Sequence, residues 1–247
     1  MTHDYTVAAV IQARMSSSRL PGKVLRTLGS RPVLDWVVRA ARVSEVVDQV
    51  VVATSTSSED DDVVKLSAEL GVECVRGSEE DVLSRFLLAL DTYPADAVVR
   101  LTADCPLLDP AVIAQTVGAF RAAHKHVDYL STVVVRSLPR GLDVEVASAD
   151  ALRRVAKHAS GYDRVHVTSA LYNNPHRYRV AGLTFVPHAD DLRITLDTEE
   201  DLRLLEALVE EFGDRPPAWR VLVALLRTRP ELVGLNEQVQ QKALHEG

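Results

Sequence analysis

Cysteine is scarce in this chain, with two in 247 residues, which excludes a disulfide scaffold and a zinc cluster built from cysteine alone. Cys74 and Cys105 read as reduced thiols. Aromatic residues make up 5% and are not interleaved with basic ones, so the stacking surface of a single-strand nucleic-acid binder is missing. The formal net charge of −7 argues the same way against DNA or RNA as a partner. No apolar run approaches the roughly 20 residues of a membrane helix, and the amino terminus lacks the basic region of a secretion signal. The expectation is a cytoplasmic protein with no membrane partner. The most pointed absence is local: between Tyr5 and Leu34 there is no Asp or Glu, yet Arg14, Arg19, Lys23, Arg26 and Arg31 all fall there. A cationic cluster inside an acidic chain points to a small polyanionic ligand.

That cluster begins where an apolar run ends. Val7 to Ile11 read as a buried strand, which makes Ala13 to Lys23 the loop leaving its carboxyl end, where open α/β sheets bind ligands. Ser16, Ser17, Ser18, Gly22 and the intervening backbone N–H groups offer donors to oxyanions without bulk. Arg14 and Arg19 supply planar forks for phosphate oxygens, and Lys23 supplies a compact mobile charge. The alternative is a solvated loop with ordinary surface cations. The loop is neither a Walker A sequence nor a G-x-G-x-x-G fingerprint.

What surrounds the loop is ordinary for a soluble globular chain, with 47% hydrophobic and 26% charged residues and length for one α/β domain. Strand-like runs recur at Val7 to Ile11, Gln49 to Ala53, Val72 to Val75 and Ala97 to Leu101. Helical periodicity fills the intervals, over Pro32 to Val43, Glu59 to Leu70, Glu80 to Leu90 and Pro110 to His124. Ser58 and Asp109 are candidate caps, and Pro32 and Pro110 suit a first turn. Alternation of this kind predicts a mostly parallel sheet flanked by helices. After Val127 the pattern changes to strand-like pieces at Asp128 to Val135, Leu142 to Val146 and Tyr178 to Val186. The domain is expected over residues 1–213, with an excursion over about 127–190 and a helical tail over 214–247. Within the tail, Trp219 reads as a packing residue.

Carboxylates stand at two strand-to-helix junctions. Asp104, in Arg100-Leu-Thr-Ala-Asp104, should sit just past the fourth strand and face the Arg14 loop. Asp197, in Ile194-Thr-Leu-Asp197-Thr, should be delivered by a short apolar strand, with Thr198 starting a helix and Glu199, Glu200 and Asp201 in its first turn. Each Asp also reads as a helix cap. Two remote carboxylates meeting beside a triphosphate site would suit Mg²⁺, which keeps waters and takes one or two carboxylates plus phosphate oxygens.

The string Gln12-Ala-Arg-Met-Ser-Ser-Ser-Arg-Leu-Pro-Gly-Lys-Val-Leu25 resembles the opening motif of the cytidylyltransferases that make CMP-activated sugar acids, especially the spore-coat-polysaccharide branch related to CMP-KDO and CMP-acylneuraminate synthetases. The resemblance continues through Arg100-Leu-Thr-Ala-Asp-Cys-Pro-Leu107, Arg140-Gly-Leu-Asp-Val-Glu145 and Leu196-Asp-Thr-Glu-Glu-Asp-Leu202, up to about Phe212. It implies a Rossmann-like three-layer fold of the nucleotide-diphospho-sugar transferase type and transfer of CMP from CTP to a small acidic acceptor, releasing pyrophosphate. It also implies Asp104 and Asp197 as the metal aspartates, and Ala13, Arg14, Ser18, Arg19 and Lys23 as nucleotide contacts, with Arg14, Lys23 and Asp104 catalytic. The family's Gly-Ser-x-x-Asp-Val-Leu pattern places Arg76, Ser78 and Asp81 beside the nucleoside, although Asp81 reads equally as a first-turn helix carboxylate.

Arg100, on a buried strand, needs a partner; a base carbonyl or Asp104 would serve. For the acceptor the candidates are Arg140, Arg164 and His166, with Asp143 and Glu145 on a strand face that meets either solvent or ligand. Related sequences read Asp-Arg-Glu-His-Val-Thr where this chain has Val165, which weakens transfer of the acceptor contacts. The family forms homodimers through the excursion, here roughly Ser131 to Val146. The nearest rival is a nucleotidyltransferase of the same fold using another NTP or a phosphate or phosphonate acceptor. More distant rivals are a glycosyltransferase, which has no reason to keep three triphosphate-facing cations, and an inactive nucleotide-binding protein.

Overall fold

The computed structural model describes residues 5–240. In chain order the strands are β1 (Val7–Gln12), β2 (Thr27–Leu28), β3 (Arg31–Pro32), β4 (Gln49–Ser55), β5 (Glu73–Gly77), β6 (Ala97–Thr102), β7 (Tyr129–Ser131), β8 (Glu145–Ser148) and β9 (Val180–Gly182). The helices are α1 (Val33–Val43), α2 (Asp61–Glu69), α3 (Val82–Thr92), α4 (Pro110–Ala123), α5 (Ala149–Ala156), α6 (Tyr162–Val165), α7 (Ser169–Tyr172), α8 (Glu199–Phe212), α9 (Trp219–Thr228) and α10 (Pro230–Val233).

Period-2 side chains send each central strand's residues to opposite faces. Val7, Ala9 and Ile11 of β1, with Val99 and Leu101 of β6, face one core layer, while Val10 and Val98 face the other. The first layer is closed by apolar stripes such as Leu34, Val37 and Val38 of α1, Val112 and Phe120 of α4, and Leu205 and Leu208 of α8. The second is closed by Leu83 and Phe86 of α3 and by Leu152 and Val155 of α5. Each such side chain contributes about 1.5–3 kcal/mol by leaving water. The result is the three-layer α/β fold that the strand-helix alternation implies.

Seven strands form one mixed sheet in the order β5-β4-β1-β6-β8-β7-β9, and β2 and β3 form a separate hairpin. β5, β4, β1 and β6 are parallel, and β8 runs antiparallel to both β6 and β7. The chain builds outward from β1 to β4 and β5, then crosses to β6 on the other side. That reversal opens a crevice at the carboxyl ends of β1 and β6.

The later strands are shorter than their apolar patterns suggest. β7 stops at Ser131, whose Oγ accepts the N–H groups of Val133 (3.2 Å) and Val134 (3.3 Å) and turns the chain out of the sheet. At Gly141 the chain passes so close to Ile194 and Thr195 that a Cβ would lie 2.8 Å from their backbone, at φ 109°. That approach carries the 140 loop against the segment leading to Asp197, where an isolated parallel bridge joins Arg140 and Arg193. The short strand expected over Ile194 to Leu196 is absent. The segment is instead held by Ile194 N–H on the Arg140 carbonyl (2.7 Å) and Leu196 N–H on the Asp104 carbonyl (2.8 Å).

Residues 219–236 pack into the body. Trp219 is buried edge-on against Phe185 at 5.8 Å between ring centroids, and its backbone N–H donates to the Asp109 carboxylate at 2.8 Å. Asp109 also caps α4 through Ala111 N–H. Pro32, expected in the first turn, instead holds the N-cap of α1, and Ser57, one residue before the expected Ser58, caps the 3₁₀ turn ahead of α2.

Candidate active site

The loop after β1 is held in place by its own hydrogen bonds and by apolar side chains beneath it. Gly22, at φ 69°, donates its N–H to the Met15 carbonyl (3.0 Å), closing the loop on itself. Leu20 and Val24 bury their side chains beneath it. Asp60 ties the loop to the sheet by accepting the Met15 N–H (2.7 Å) and the Ser55 N–H at the end of β4 (2.9 Å). These hydrogen bonds outweigh the burial that would raise its pKa, so the Asp60 carboxyl lies below the ordinary carboxylate value. Ala13 is buried and hydrogen-bonded by its N–H to the Ala53 carbonyl.

The loop forms one wall of an open cleft. Gln12, Arg14, Ser16, Ser17, Ser18, Arg19 and Lys23 line one side, and Thr102, Ala103, Asp104 and Asp197 line the other. Asp104 and Asp197, 93 positions apart in the chain, meet on the Lys23 ammonium. Nζ donates to Asp104 Oδ2 at 2.9 Å, to Asp197 Oδ1 at 2.8 Å and to the Leu196 carbonyl at 2.8 Å. All three of its N–H bonds are therefore engaged. Burial alone would lower the Lys23 pKa, but the two carboxylates raise it above the ordinary lysine value.

Asp197 is the more heavily paired acid, also meeting Arg19 at 2.9 Å and Arg193 at 2.8 Å. Burial opposes its ionisation, yet the Lys23 charge, with Arg193 and Arg19, depresses it to about 2. Asp104 is likewise below the usual carboxylate range, because Lys23 outweighs both burial and the repulsion of Asp197.

Behind Asp197 lies a second layer that the motifs did not expose. Thr198 and Asp201 form a reciprocal capping box at the start of α8. The buried Asp201 carboxylate also accepts from Arg193 Nε and Nη2 (both 2.8 Å), from Asp197 N–H (2.8 Å) and from Asn236 Nδ2 (2.8 Å). Asn236 further donates to the Arg193 carbonyl at 3.3 Å. The carbonyl of Gln240 accepts from Arg19 at 3.1 Å. The spacing of Thr198 and Asp201 is a legible capping signal; the partnership with Asn236 is not.

The remaining candidates lie outside this cleft. Arg100 pairs with Glu145, directly opposite it on β8, and reaches Gln12 Oε1 at 3.2 Å. Its protein partner is thus Glu145 rather than Asp104. Glu145 is 6% exposed and also accepts from Tyr129 Oη and Thr168 Oγ1, both at 2.5 Å. The face expected to meet solvent or ligand at Glu145 is covered, because Thr168 lies over it. Asp143 is paired with Arg136 at 2.6 and 3.1 Å. Arg140 lies among Arg136, Asp143, Arg193 and Asp197, and its pKa is lowered by burial and by Arg136. Arg164 meets Asp81 at 2.5 Å, and the His166 ring lies 4.2 Å from that of Tyr162. Asp81 caps α3 by accepting the Ser84 N–H (3.0 Å), Ser78 Oγ accepts the Asp81 N–H (3.0 Å), and Arg76 donates to the Ser55 and Ser57 carbonyls (2.9 and 2.7 Å).

A cationic loop at a topological switch point, faced by Asp104 just past β6 and Asp197 just ahead of α8, defines a nucleotidyltransferase of the three-layer α/β class. The family model described as Cytidylyltransferase matches residues 8–245. An uncharacterised protein of Methanocaldococcus jannaschii is 35% identical over 97% of this chain and 98% of its own. The spore coat polysaccharide biosynthesis protein SpsF of Bacillus subtilis is 35% identical over 90% of this chain and 94% of its own. A cytidylyltransferase structure from Leptospira borgpetersenii superposes with a TM-score of 0.90 at 28% identity, covering 97% of this chain and all of the other. The chain belongs to the cytidylyltransferase family and is a CTP-dependent nucleotidyltransferase. Among the described residues no helix is long and apolar enough to cross a membrane.

Proposed function

We propose that this enzyme transfers CMP from CTP to a sugar acid or a similar small acidic acceptor, with Mg²⁺ and with release of pyrophosphate. The observation that carries the reading is the convergence of Asp104 and Asp197 on Lys23 beside the Arg14–Arg19 loop. Two hard oxygen donors at the mouth of a phosphate-binding loop suit Mg²⁺, which takes few carboxylates and completes its shell with water and phosphate. Asp104 and Asp197 would hold the ion, which when bound supplies charge neutralisation at the phosphates.

Arg14 and Arg19 hold the outer phosphates, and the serine-rich backbone between them adds neutral donors. Lys23 sits on the two carboxylates. As the triphosphate enters, its ammonium turns to the phosphate oxygens, where it meets the charge growing on the leaving pyrophosphate. Arg193, fixed by Asp201, keeps Asp197 aimed into the cleft meanwhile. Arg140, close to Asp197, offers its guanidinium to the acceptor carboxylate. The acceptor oxygen then attacks the α-phosphorus in line with the departing pyrophosphate, and catalysis rests on positioning and charge. Residues Ser131 to Val146 form the homodimer contact in this account, supported by the exposed side chains of Val134 and Val135, 40% and 54% accessible.

The test is pyrophosphate release with Mg²⁺ from CTP, UTP, ATP and GTP, each offered sugar acids and small phosphonates, with Asp104→Ala as control. Release from CTP with an acidic sugar, abolished in the control, is the expected result. Release only from another NTP, or only with a phosphonate, would replace this reading by the related nucleotidyltransferase.

A further inference from the structure

α3 carries a cation that the account so far does not use. Arg85 is one turn beyond the N-cap Asp81, and helical side chains lean toward the helix amino terminus, so its guanidinium is directed at the loop leaving β5. The residue is 0% exposed, and neither Nε, Nη1 nor Nη2 has a hydrogen-bond partner among the described residues. Its stem lies against Gly77, where a Cβ would come within 2.9 Å of Arg85 Cγ. The charged groups around it are Arg14, Asp60, Glu79 and Asp81. Each carboxylate is committed elsewhere: Asp60 to the Met15 and Ser55 N–H groups, Asp81 to Ser84 and Arg164, and Glu79 to Ser16 Oγ. A buried guanidinium with its N–H donors unpaired is a costly choice where methionine or leucine would pack.

The position explains the choice. Arg85 lies under the loops that follow β1, β4 and β5, on the opposite side of β1 from β6, which delivers Asp104. With phosphates on the Arg14–Lys23 loop and carboxylates on the β6 side, the nucleoside extends toward β4 and β5. Resting on the cytidylyl-transfer reading above, we propose that Arg85 reads the nucleotide base, its guanidinium donating to O2 and N3 of cytosine. Those two atoms are adjacent acceptors that a planar fork matches. Uracil presents an N–H at N3, so donor would face donor, and arginine has no acceptor to offer. Burial and the neighbouring Arg14 charge lower Arg85 only to about 10, which leaves it protonated at neutral pH. Access runs past one hydrogen bond, Ser16 Oγ to Glu79 Oε1 at 2.7 Å, which ties the loop after β1 to the loop after β5.

The test is calorimetric binding of CTP, UTP and inorganic tripolyphosphate, each with Mg²⁺, to the wild type, Arg85→Met and Arg85→Lys. Arg85→Met should weaken CTP at least about tenfold and bring the CTP-to-UTP preference close to unity. Tripolyphosphate affinity should stay within about twofold, with the thermal midpoint unchanged or raised. Arg85→Lys keeps the charge without the fork and should be equally unselective. Retained CTP preference in both variants would overturn the role and leave cytidylyl transfer standing, as would a parallel fall in CTP and tripolyphosphate affinity. A wild type without preference for CTP would overturn both.

Discussion

Replacing Lys23 with methionine strips Asp104 and Asp197 of the cation they share, and the consequence is a change in the sign of a pH dependence. Nζ lies 2.9 Å from one carboxylate oxygen and 2.8 Å from the other. The two oxygens are therefore no more than about 6 Å apart, and at an effective dielectric of about 20 two unit charges at that separation repel by about 3 kcal/mol. Asp197 keeps Arg19 and Arg193, so Asp104 is the acid that takes up the proton, its pKa moving from below the ordinary carboxylate value to above it. In the wild type both acids are depressed in the folded state. Their contribution to stability is present above the unfolded value of about 4 and is lost as pH falls through the folded values. For Asp197 that loss runs down to about 2.

In Lys23→Met the folded pKa of Asp104 lies above the unfolded one, so the contribution is present below about pH 4 and is lost as pH rises through the folded value. Urea unfolding from about pH 4 to 7 reads this directly: the variant should lose about 3 kcal/mol with rising pH relative to the wild type. Adding Asp104→Asn should restore most of that loss. Parallel pH profiles for wild type and Lys23→Met, or no recovery in the double variant, would refute the electrostatic coupling.

Glu145→Gln leaves Arg100 buried without its counter-charge and should cost about 3–5 kcal/mol in urea unfolding; a cost under about 1 kcal/mol would mean that Arg100 finds another partner. Trp219→Ala empties the contact with Phe185 and should lower stability by about 3–5 kcal/mol. Its kcat for pyrophosphate release, measured below the new midpoint, should be unchanged, and a selective fall in kcat would contradict a packing role. Asn236→Ala removes a donor from the buried Asp201 carboxylate and should cost about 1–3 kcal/mol. A neutral result would show that the segment after α10 is not needed to hold Arg193 in place.

The first half of the fold was legible because its signals are local. Short continuous apolar runs mark β1, β4 and β6, and Asp109-Pro110 announces α4 from adjacent residues. Asp104 and Asp197 stood out for the same reason, each at the start of a helix-facing turn beside a recognisable loop. The second half hides its logic in long-range pairs. Arg100 and Glu145 are on neighbouring strands 45 positions apart, and an alternating strand pattern cannot tell a solvated glutamate from one covered by Thr168. β7 reads as a long apolar strand, but the Ser131 hydroxyl ends it after three residues. Asn236 reaches Asp201 across 35 positions with no local mark. Arg85 sits on an amphipathic helix four residues after Asp81, where the spacing suggests an ordinary helix ion pair; the structure gives Asp81 to Arg164 instead.

The central claim is that the α-phosphorus, not the γ-phosphorus, is attacked, and the most direct measurement follows label from CTP carrying radioactive phosphorus at either position. With an acidic sugar acceptor and Mg²⁺, the account predicts that α-label enters the acceptor product and γ-label leaves in pyrophosphate. Transfer of γ-label to the acceptor, with CDP left behind, would contradict it.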